Sequence, residues 1–229
     1  TAVRFVIEGE GGYTTVNGEK CPMHKGDLIL TPALNWHEHG HEGSGPVIWM
    51  DALDLPMIYA MEASYAIEGP SQPVRPEADA SQNKYRRAGL LPYASLGRAQ
   101  RADYPQIRYP WVDVRQALAA LATVTPKDEA VQLAYVNPET GRPCLPTLGF
   151  SAMQLRAGQD LALRKRSASG VIHVIEGRGE SEIDGVTLQW TEGDTLTIPT
   201  HAQVRHRAMG NDAYLFHVDD APMQRALGF

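Results

Sequence analysis

The chain has 229 residues and a formal net charge of −6, with 43% hydrophobic and 21% charged residues. This composition is that of an ordinary globular protein with enough apolar side chains to form a core. The acidic balance argues against nucleic acid as the main partner, and no apolar run approaches the ~20 residues of a membrane span, so we predict neither nucleic acid nor a membrane as a partner.

The first part of the chain alternates strand and turn signals. Residues 3–7 and 13–16 are β-prone, and Asn17-Gly18 is a strong hairpin signal. Residues 46–54 predict a further strand. The sequence begins at Thr1, next to a strand and without a methionine, so we expect a chain that has lost its beginning.

Two histidines follow a short apolar run. The run after Gly26-Asp27 predicts a buried strand that Pro32 ends, and His37 and His39 come next. Residues two apart in an extended chain point to the same face, so both imidazoles can face one cavity. The pair favours a metal and substrate site, and the alternative is a hydrogen-bonded structural role.

Residues 57–127 have a different character. Prolines are spread through polar, glycine-containing sequence, which predicts a connector with local structure rather than a third domain. The clearest helix covers residues 112–122, where Val114, Leu118 and Leu121 form an apolar stripe. We expect this helix to pack against a core.

The two cysteines indicate the redox environment. Cys21 and Cys144 could form at most one bridge, and their wide separation is typical of thiols in a reducing compartment. No secretory leader pattern is visible in the sequence. These observations predict a cytoplasmic protein.

The second half of the chain repeats signals of the first half. Three of them recur in the same order, with the hairpin one residue shorter in the second copy: residues 6–11 as residues 174–179, Asn17-Gly18 as Asp184-Gly185, and Gly26-Asp27 with Pro32 as Gly193-Asp194 with Pro199. The repeat predicts an all-β fold with two copies of one barrel, which encloses a small-ligand cavity. We predict an N-terminal barrel at residues 1–57, a connector with a helix at 58–127 and a C-terminal barrel at 128–229.

A comparison of the copies indicates which one is functional. The position of His37 is taken by Val204, which has no lone pair for a metal, whereas His39 corresponds to His206. The metal-bearing site is therefore predicted in the first copy.

The frame of Gly26, Pro32 and His37 resembles the second signature of the cupin barrels. Further segments resemble the gentisate 1,2-dioxygenase family, which includes salicylate and 1-hydroxy-2-naphthoate dioxygenases: Trp36-His37-Glu38-His39, residues 49–56, residues 137–141 and residues 222–228. The resemblance implies a bicupin, made of two double-stranded β-helix (jelly-roll) barrels with a short helical connector.

The resemblance also implies an iron site in the N-terminal barrel. Fe(II) would be held by three histidines, of which His37 is one. The other two form a His-x-His pair that would lie six and eight residues before Arg4, upstream of Thr1. In the second copy these positions are Arg164 and Arg166, which cannot ligate a metal, so that barrel is expected to be metal-free.

Substrate-binding roles follow from the same resemblance. His39 and Arg4 would bind the carboxylate of a small aromatic 2-hydroxy-carboxylate, because a buried arginine is costly unless it meets an anion. Asp51 would orient a histidine or the substrate. The alternatives are that Arg4 pairs with an acid such as Glu8 or Asp51, and that Asp51 is a structural acid.

The activity implied is an extradiol-type ring cleavage with O2. Gentisate would open between its carboxyl-bearing and hydroxyl-bearing carbons to give maleylpyruvate, in a homotetrameric enzyme of aromatic catabolism. The segments do not choose among gentisate, salicylate and 1-hydroxy-2-naphthoate. If the 229 residues are the whole protein, a metal-free cupin that binds a small carboxylate is the alternative. A manganese oxalate decarboxylase is disfavoured by Arg164, Arg166 and Val204.

Overall fold

A computed structural model describes residues 1–95 and 104–229, and β-strands dominate both parts. Residues 96–103 of the predicted connector lie outside the described residues. The chain forms two units. Unit 1 comprises Thr1–Trp111 and Val136–Arg142, and unit 2 comprises Val112–Tyr135 and Pro143–Phe229.

Unit 1 contains two antiparallel sheets. One has the strand order β6-β1-β4-β7 and the other the order β3-β2-β5. Their strands are β1 (Ala2–Glu8), β2 (Gly12–Val16), β3 (Glu19–Pro22), β4 (Leu28–Thr31), β5 (His37–His41), β6 (Ile48–Leu53) and β7 (Arg108–Tyr109). Two short helices, α1 (Leu55–Ala60) and α2 (Ala80–Tyr85), and a 3-10 turn at Tyr93–Ser95 follow β6 in the described part of the chain.

Unit 2 repeats this arrangement with more strands. Its helices are α3 (Trp111–Ala122) and α4 (Ala221–Ala226), and the first residue of α3, Trp111, is assigned to unit 1. Its strands are β8 (Val131–Ala134), β9 (Gly149–Leu155), β10 (Asp160–Ala162), β11 (Gly170–Glu176), β12 (Arg178–Ile183), β13 (Val186–Thr191), β14 (Thr195–Ile198), β15 (Val204–Ala208) and β16 (Ala213–Asp219). The two sheets have the orders β14-β11-β16-β9-β8 and β10-β15-β12-β13.

The hairpin turns of the two units have the same backbone conformation. Asn17 and Gly18 have φ values of 48° and 81°, and Asp184 and Gly185 have values of 49° and 82°. Positive φ at both central residues gives the turn whose twist matches that of the flanking strands, and Asn-Gly or Asp-Gly supplies it with little strain. Local turn chemistry therefore fixes the same register in both hairpins.

Strand pairing extends the repeat across the sheets. Arg4 lies opposite Ile29 and Asp51, and Ile172 lies opposite Leu196 and His217. Each first strand also has a register shift at the same place, between Val6 and Glu8 and between Val174 and Glu176. The two copies can therefore be compared position by position.

The core of each unit lies between its two sheets. In unit 1 Val6 and Ile29 from one sheet pack with Val16 and Cys21 from the other. In unit 2 the corresponding interior is a larger apolar cluster that includes Trp190. Both cysteines are buried and free.

A buried ionic network attaches Asp79, Arg108 and Trp111 to Asp27 of unit 1. Arg108 Nε donates to Asp27 Oδ2 at 2.8 Å, and its Nη1 donates to Asp79 Oδ2. The backbone N–H of Trp111 donates to Asp27 Oδ1 at 2.9 Å. The matching residue of unit 2, Asp194, accepts from the backbone of Thr191 within its own turn. Asp27 therefore both stabilises a turn and holds the segment that follows α2.

Most predicted elements are confirmed. The strands expected at residues 13–16 and 46–54 form β2 and β6, and the helix expected at residues 112–122 forms α3 with Leu118 fully buried. The short helices α1, α2 and α4 were not predicted. The three-part domain division stays a prediction, and the structure places residues 58–111 with unit 1.

None of the helices in the described part of the chain combines the length and the hydropathy that a membrane span needs.

Candidate active site

The four predicted site residues of unit 1 lie on strands of its two sheets. Arg4 on β1 lies opposite Asp51 on β6, and β5 of the other sheet presents His37 and His39. His39 lies opposite Thr14 of β2. Because side chains alternate along each strand, these residues face the space between the two sheets.

Arg4 is a buried cation with spare hydrogen-bonding capacity. Its side chain is 8% exposed, and Nε lies 3.2 Å from Asp51 Oδ1. Nη2 donates to Asp51 Oδ2 over a long 3.5 Å, and Nη1 has no hydrogen-bond partner among the described residues. Burial lowers the pKa of Arg4 and the Asp51 carboxylate opposes that change. Of the two acids that the sequence offered as partners, the structure pairs Arg4 with Asp51.

An aromatic side chain that was not predicted as a site residue completes this group. The Trp49 ring centroid lies 5.6 Å from the guanidinium carbon of Arg4 and 5.9 Å from the His39 ring centroid. A cation at this distance is attracted to the indole face. Trp49 lies two residues before Asp51 on β6, so strand alternation could have indicated that it faces the same way.

The two histidines have different hydrogen-bond partners. Thr14 Oγ1 lies 3.0 Å from His39 Nδ1, and the His37 and His39 ring centroids are 5.6 Å apart. Both residues are exposed as a whole, yet the His39 ring lies among Thr14, Trp49 and Arg4. This partial desolvation, with smaller contributions from Arg4 and His37, lowers the pKa of His39 to about 4. His39 is therefore neutral at pH 7.

The His37 ring has the hydrogen bond that a metal ligand needs. Its Nδ1 lies 3.4 Å from the carbonyl oxygen of Asn35. A carbonyl oxygen only accepts, so the neutral tautomer that makes this contact carries its proton on Nδ1 and keeps a free lone pair on Nε2. Such a contact orients an imidazole toward a metal. No group of three histidine, cysteine, aspartate or glutamate side chains suited to a metal occurs among residues 1–95 and 104–229.

Unit 2 replaces these side chains with apolar ones. Ile172, Val204 and Leu215 stand where unit 1 has Arg4, His37 and Trp49, and all three belong to the apolar cluster of unit 2. His217 takes the position of Asp51. The interior of unit 2 is thus packed where the interior of unit 1 is polar.

One histidine keeps its place in both copies. His206 corresponds to His39, and Ser181 Oγ lies 2.7 Å from His206 Nδ1 as Thr14 does from His39. Trp190 Nε1 donates to the same serine at 2.9 Å. The histidine–hydroxyl pair therefore belongs to the repeated fold.

Arg164 and Arg166 take the positions in unit 2 that correspond to the expected His-x-His pair. They lie in an irregular segment after β10 rather than on a strand. Arg166 Nη1 lies 3.2 Å from Asp219 Oδ2.

Two barrels with the same strand register, one with a polar and one with an apolar interior, define a bicupin with one candidate site. A family model for the cupin domain matches residues 1–53. The chain is 48% identical to a gentisate 1,2-dioxygenase of Ralstonia sp., over 99% of this chain and 64% of the relative. It is 38% identical to a 5-aminosalicylate 1,2-dioxygenase of Comamonas sp., over 99% of this chain and 61% of the relative.

A solved structure supports the same grouping. The salicylate 1,2-dioxygenase of Pseudaminobacter salicylatoxidans superposes with a TM-score of 0.91 and 32% identity, over all of this chain and 67% of that chain. The protein belongs to the gentisate 1,2-dioxygenase family. The predicted family and the bicupin fold are thereby confirmed. The chain spans a little under two thirds of the length of the curated relatives above.

Proposed function

We propose that this chain provides the substrate-binding wall and one metal ligand of an Fe(II)-dependent ring-cleaving dioxygenase. The proposed reaction opens gentisate with O2 between its carboxyl-bearing and hydroxyl-bearing carbons to give maleylpyruvate. The observation that carries the proposal is the unused Nη1 of Arg4, near His39 and Trp49, in the barrel whose copy has Ile172 and Val204 in place of Arg4 and His37. The 48% identity to a gentisate 1,2-dioxygenase supports the choice of substrate.

Arg4 is proposed to bind the substrate carboxylate. A buried cation is costly unless it is paired, and the two contacts with Asp51 leave Nη1 without a hydrogen-bond partner among the described residues. A carboxylate can accept two parallel hydrogen bonds from the guanidinium fork. Asp51 then holds Arg4 from the other side, and neutral His39 can take a hydrogen bond from, or give one to, the bound substrate.

His37 is proposed as an iron ligand. Its Nδ1–H faces the Asn35 carbonyl, so Nε2 can bind a metal without loss of that hydrogen bond. Histidine suits non-haem iron, and bound Fe(II) would supply the activation of O2. The described residues offer one suitable ligand and therefore fit the metal only in part.

The remaining two ligands are proposed on residues that precede Thr1 in the natural protein. In unit 2, β10 pairs with β15 and β9 pairs with β16. β15 and β16 correspond to β5 and β6 of unit 1. Within the described part of the chain, β5 and β6 are edge strands. Arg164 and Arg166, which correspond to the proposed His-x-His pair, follow β10, and the backbone N–H of the preceding Leu163 donates to the carbonyl oxygen of Val204 at 2.8 Å. Since Val204 takes the position of His37, a similar segment upstream of Thr1 would lie next to His37, which supports this placement.

The test uses the protein at its natural length, reconstituted with Fe(II) under anaerobic conditions. Wild type should consume O2 with gentisate and accumulate a ring-fission product that absorbs in the near ultraviolet. His37→Ala should abolish both activity and tight iron binding, because it removes a ligand. Arg4→Ala should mainly raise KM, because it removes a carboxylate contact.

The matched control is His201→Ala, which removes an exposed histidine from unit 2. It should keep wild-type iron content and activity. Full iron binding by His37→Ala, or an unchanged KM in Arg4→Ala, would contradict the assigned roles. A natural sequence without the His-x-His pair would refute the iron proposal and favour a metal-free cupin that binds a small carboxylate.

The second candidate is cleavage of salicylate or 1-hydroxy-2-naphthoate. The similarity to a salicylate 1,2-dioxygenase structure favours it, and the polar contacts proposed above are common to all three substrates. The ratio of kcat/KM values for gentisate, salicylate and 1-hydroxy-2-naphthoate decides between the candidates. We also propose a cytoplasmic homotetramer, which cell fractionation and light scattering of the purified protein would test.

A further inference from the structure

Thr31 places a hydroxyl beside Arg4 on the polar face of unit 1. It ends β4, lies opposite Ala2 of β1, and is the diagonal neighbour of Arg4, which lies opposite Ile29. Residues two apart on a strand share a face, so Thr31 and Ile29 face the same way as Arg4. Diagonal neighbours across an antiparallel pair lie about 7–8 Å apart, within reach of a shared small ligand.

The hydroxyl of Thr31 is buried and unsatisfied within the described part of the chain. The residue is 3% exposed, and Oγ1 has no hydrogen-bond partner among the described residues. Its cross-strand neighbour Ala2 offers no polar side-chain atom. Buried hydroxyls without a partner are rare because their desolvation costs free energy, so the group calls for an acceptor or donor that is not among the described residues.

The second copy supports this interpretation. Ile198 stands at the position of Thr31, opposite Gly170 as Thr31 lies opposite Ala2. Ile198 belongs to the same apolar cluster as Ile172 and Val204, which replace Arg4 and His37. A polar group therefore appears at this position only in the copy that carries the candidate site. The exchange follows the pattern of the other site residues.

We propose that Thr31 Oγ1 donates a hydrogen bond to the carboxylate of the bound substrate, next to Arg4. This inference rests on the proposed function and adds a substrate contact to it. A carboxylate has two oxygens with about four acceptor positions, so it can bind the guanidinium and the hydroxyl together. Thr31 thereby contributes to selection for aromatic carboxylates over phenols that lack the acid group.

The test compares Thr31→Val, which has nearly the same shape without the hydroxyl, with Thr31→Ser, which keeps it. Equilibrium binding of salicylate and of 1,2-dihydroxybenzene is measured without oxygen, on the iron-loaded protein at its natural length. Thr31→Val should weaken salicylate binding by about tenfold to a hundredfold, the range for one hydrogen bond to a charged group. Its affinity for 1,2-dihydroxybenzene, which has no carboxylate, should be unchanged, and Thr31→Ser should bind salicylate like wild type.

Ile198→Val is the control at the equivalent position of unit 2 and should leave both affinities unchanged. Wild-type salicylate binding in Thr31→Val, or an equal loss for both ligands, would overturn the inference while the proposed function stands. Failure of wild type itself to turn over gentisate would refute the proposed function instead, and the inference with it.

Discussion

His206 makes the stability of this protein sensitive to acid. It is 0% exposed, and burial first, then the charge of His217, lowers its pKa to about 4. In an unfolded chain a histidine has a pKa of about 6.5. Below about pH 6.5 the unfolded state binds a proton that the folded state does not, so stability present at neutral pH is lost as the pH falls toward 4.

The size of the effect follows from the two pKa values. The difference between about 6.5 and about 4 corresponds to roughly 3 kcal/mol of unfolding free energy at about 1.36 kcal/mol per unit. At about pH 5 roughly 2 kcal/mol of this has been lost, which is a large part of the stability of a typical domain.

The decisive variant is His206→Asn. An asparagine Oδ1 can replace Nδ1 as acceptor of the hydrogen bond from Ser181 Oγ, which lies 2.7 Å from the ring. Urea unfolding followed by tryptophan fluorescence gives the free energy of unfolding at about pH 7.5 and about pH 5. Wild type should lose roughly 2 kcal/mol more than His206→Asn between these pH values.

The control is His201→Asn. His201 is exposed and has a φ of 61°, a conformation that asparagine tolerates well. This variant should keep the wild-type pH dependence. The reasoning is refuted if wild type and His206→Asn lose the same free energy between the two pH values.

Two further predictions concern the stability of unit 1. Gly26→Ala would place a methyl carbon 2.5 Å from Trp111 Cγ at a φ of +84°, so it should cost clearly more than Gly193→Ala, which has a φ of +91° and no atom within 4 Å. The latter should cost only the backbone term of about 1–2 kcal/mol, and equal losses in thermal unfolding would contradict the packing argument. Arg108→Met should lower the free energy of unfolding by about 3–5 kcal/mol, because it leaves the buried Asp27 carboxylate without its cation. Adding Asp27→Asn should recover part of this loss in urea unfolding, and a loss below about 1 kcal/mol for Arg108→Met alone would show that the network contributes little.

The fold could be predicted because its signals are local. Asn17-Gly18 and Asp184-Gly185 set the hairpins through backbone preferences that any reader of the sequence can apply. The helices α1, α2 and α4 have six residues each, too few for a periodic pattern to be visible. A proline in the first turn of α1 and of α4 was the one available signal.

The candidate site could be predicted from residue type, strand alternation and the resemblance to a known family. Arg4, His37, His39 and Asp51 were predicted in this way, and their roles stay predictions. Thr31 was not predicted, because an unsatisfied hydroxyl is visible only in the packing. The role of Arg108 was missed because its acidic partners lie 81 and 29 residues away in the sequence.

The interior of unit 1 is polar and that of unit 2 is apolar, so the two barrels can meet different requirements, ligand binding and close packing. Polar side chains in a barrel interior lower stability, and an enzyme site needs them. Here the copy with Ile172, Ile198 and Val204 can be optimised for packing, while the other copy accepts the cost of Arg4 and Thr31. Two copies of one barrel can thus provide a packed interior and a polar interior separately, and substitutions in the two interiors are expected to be selected for different reasons.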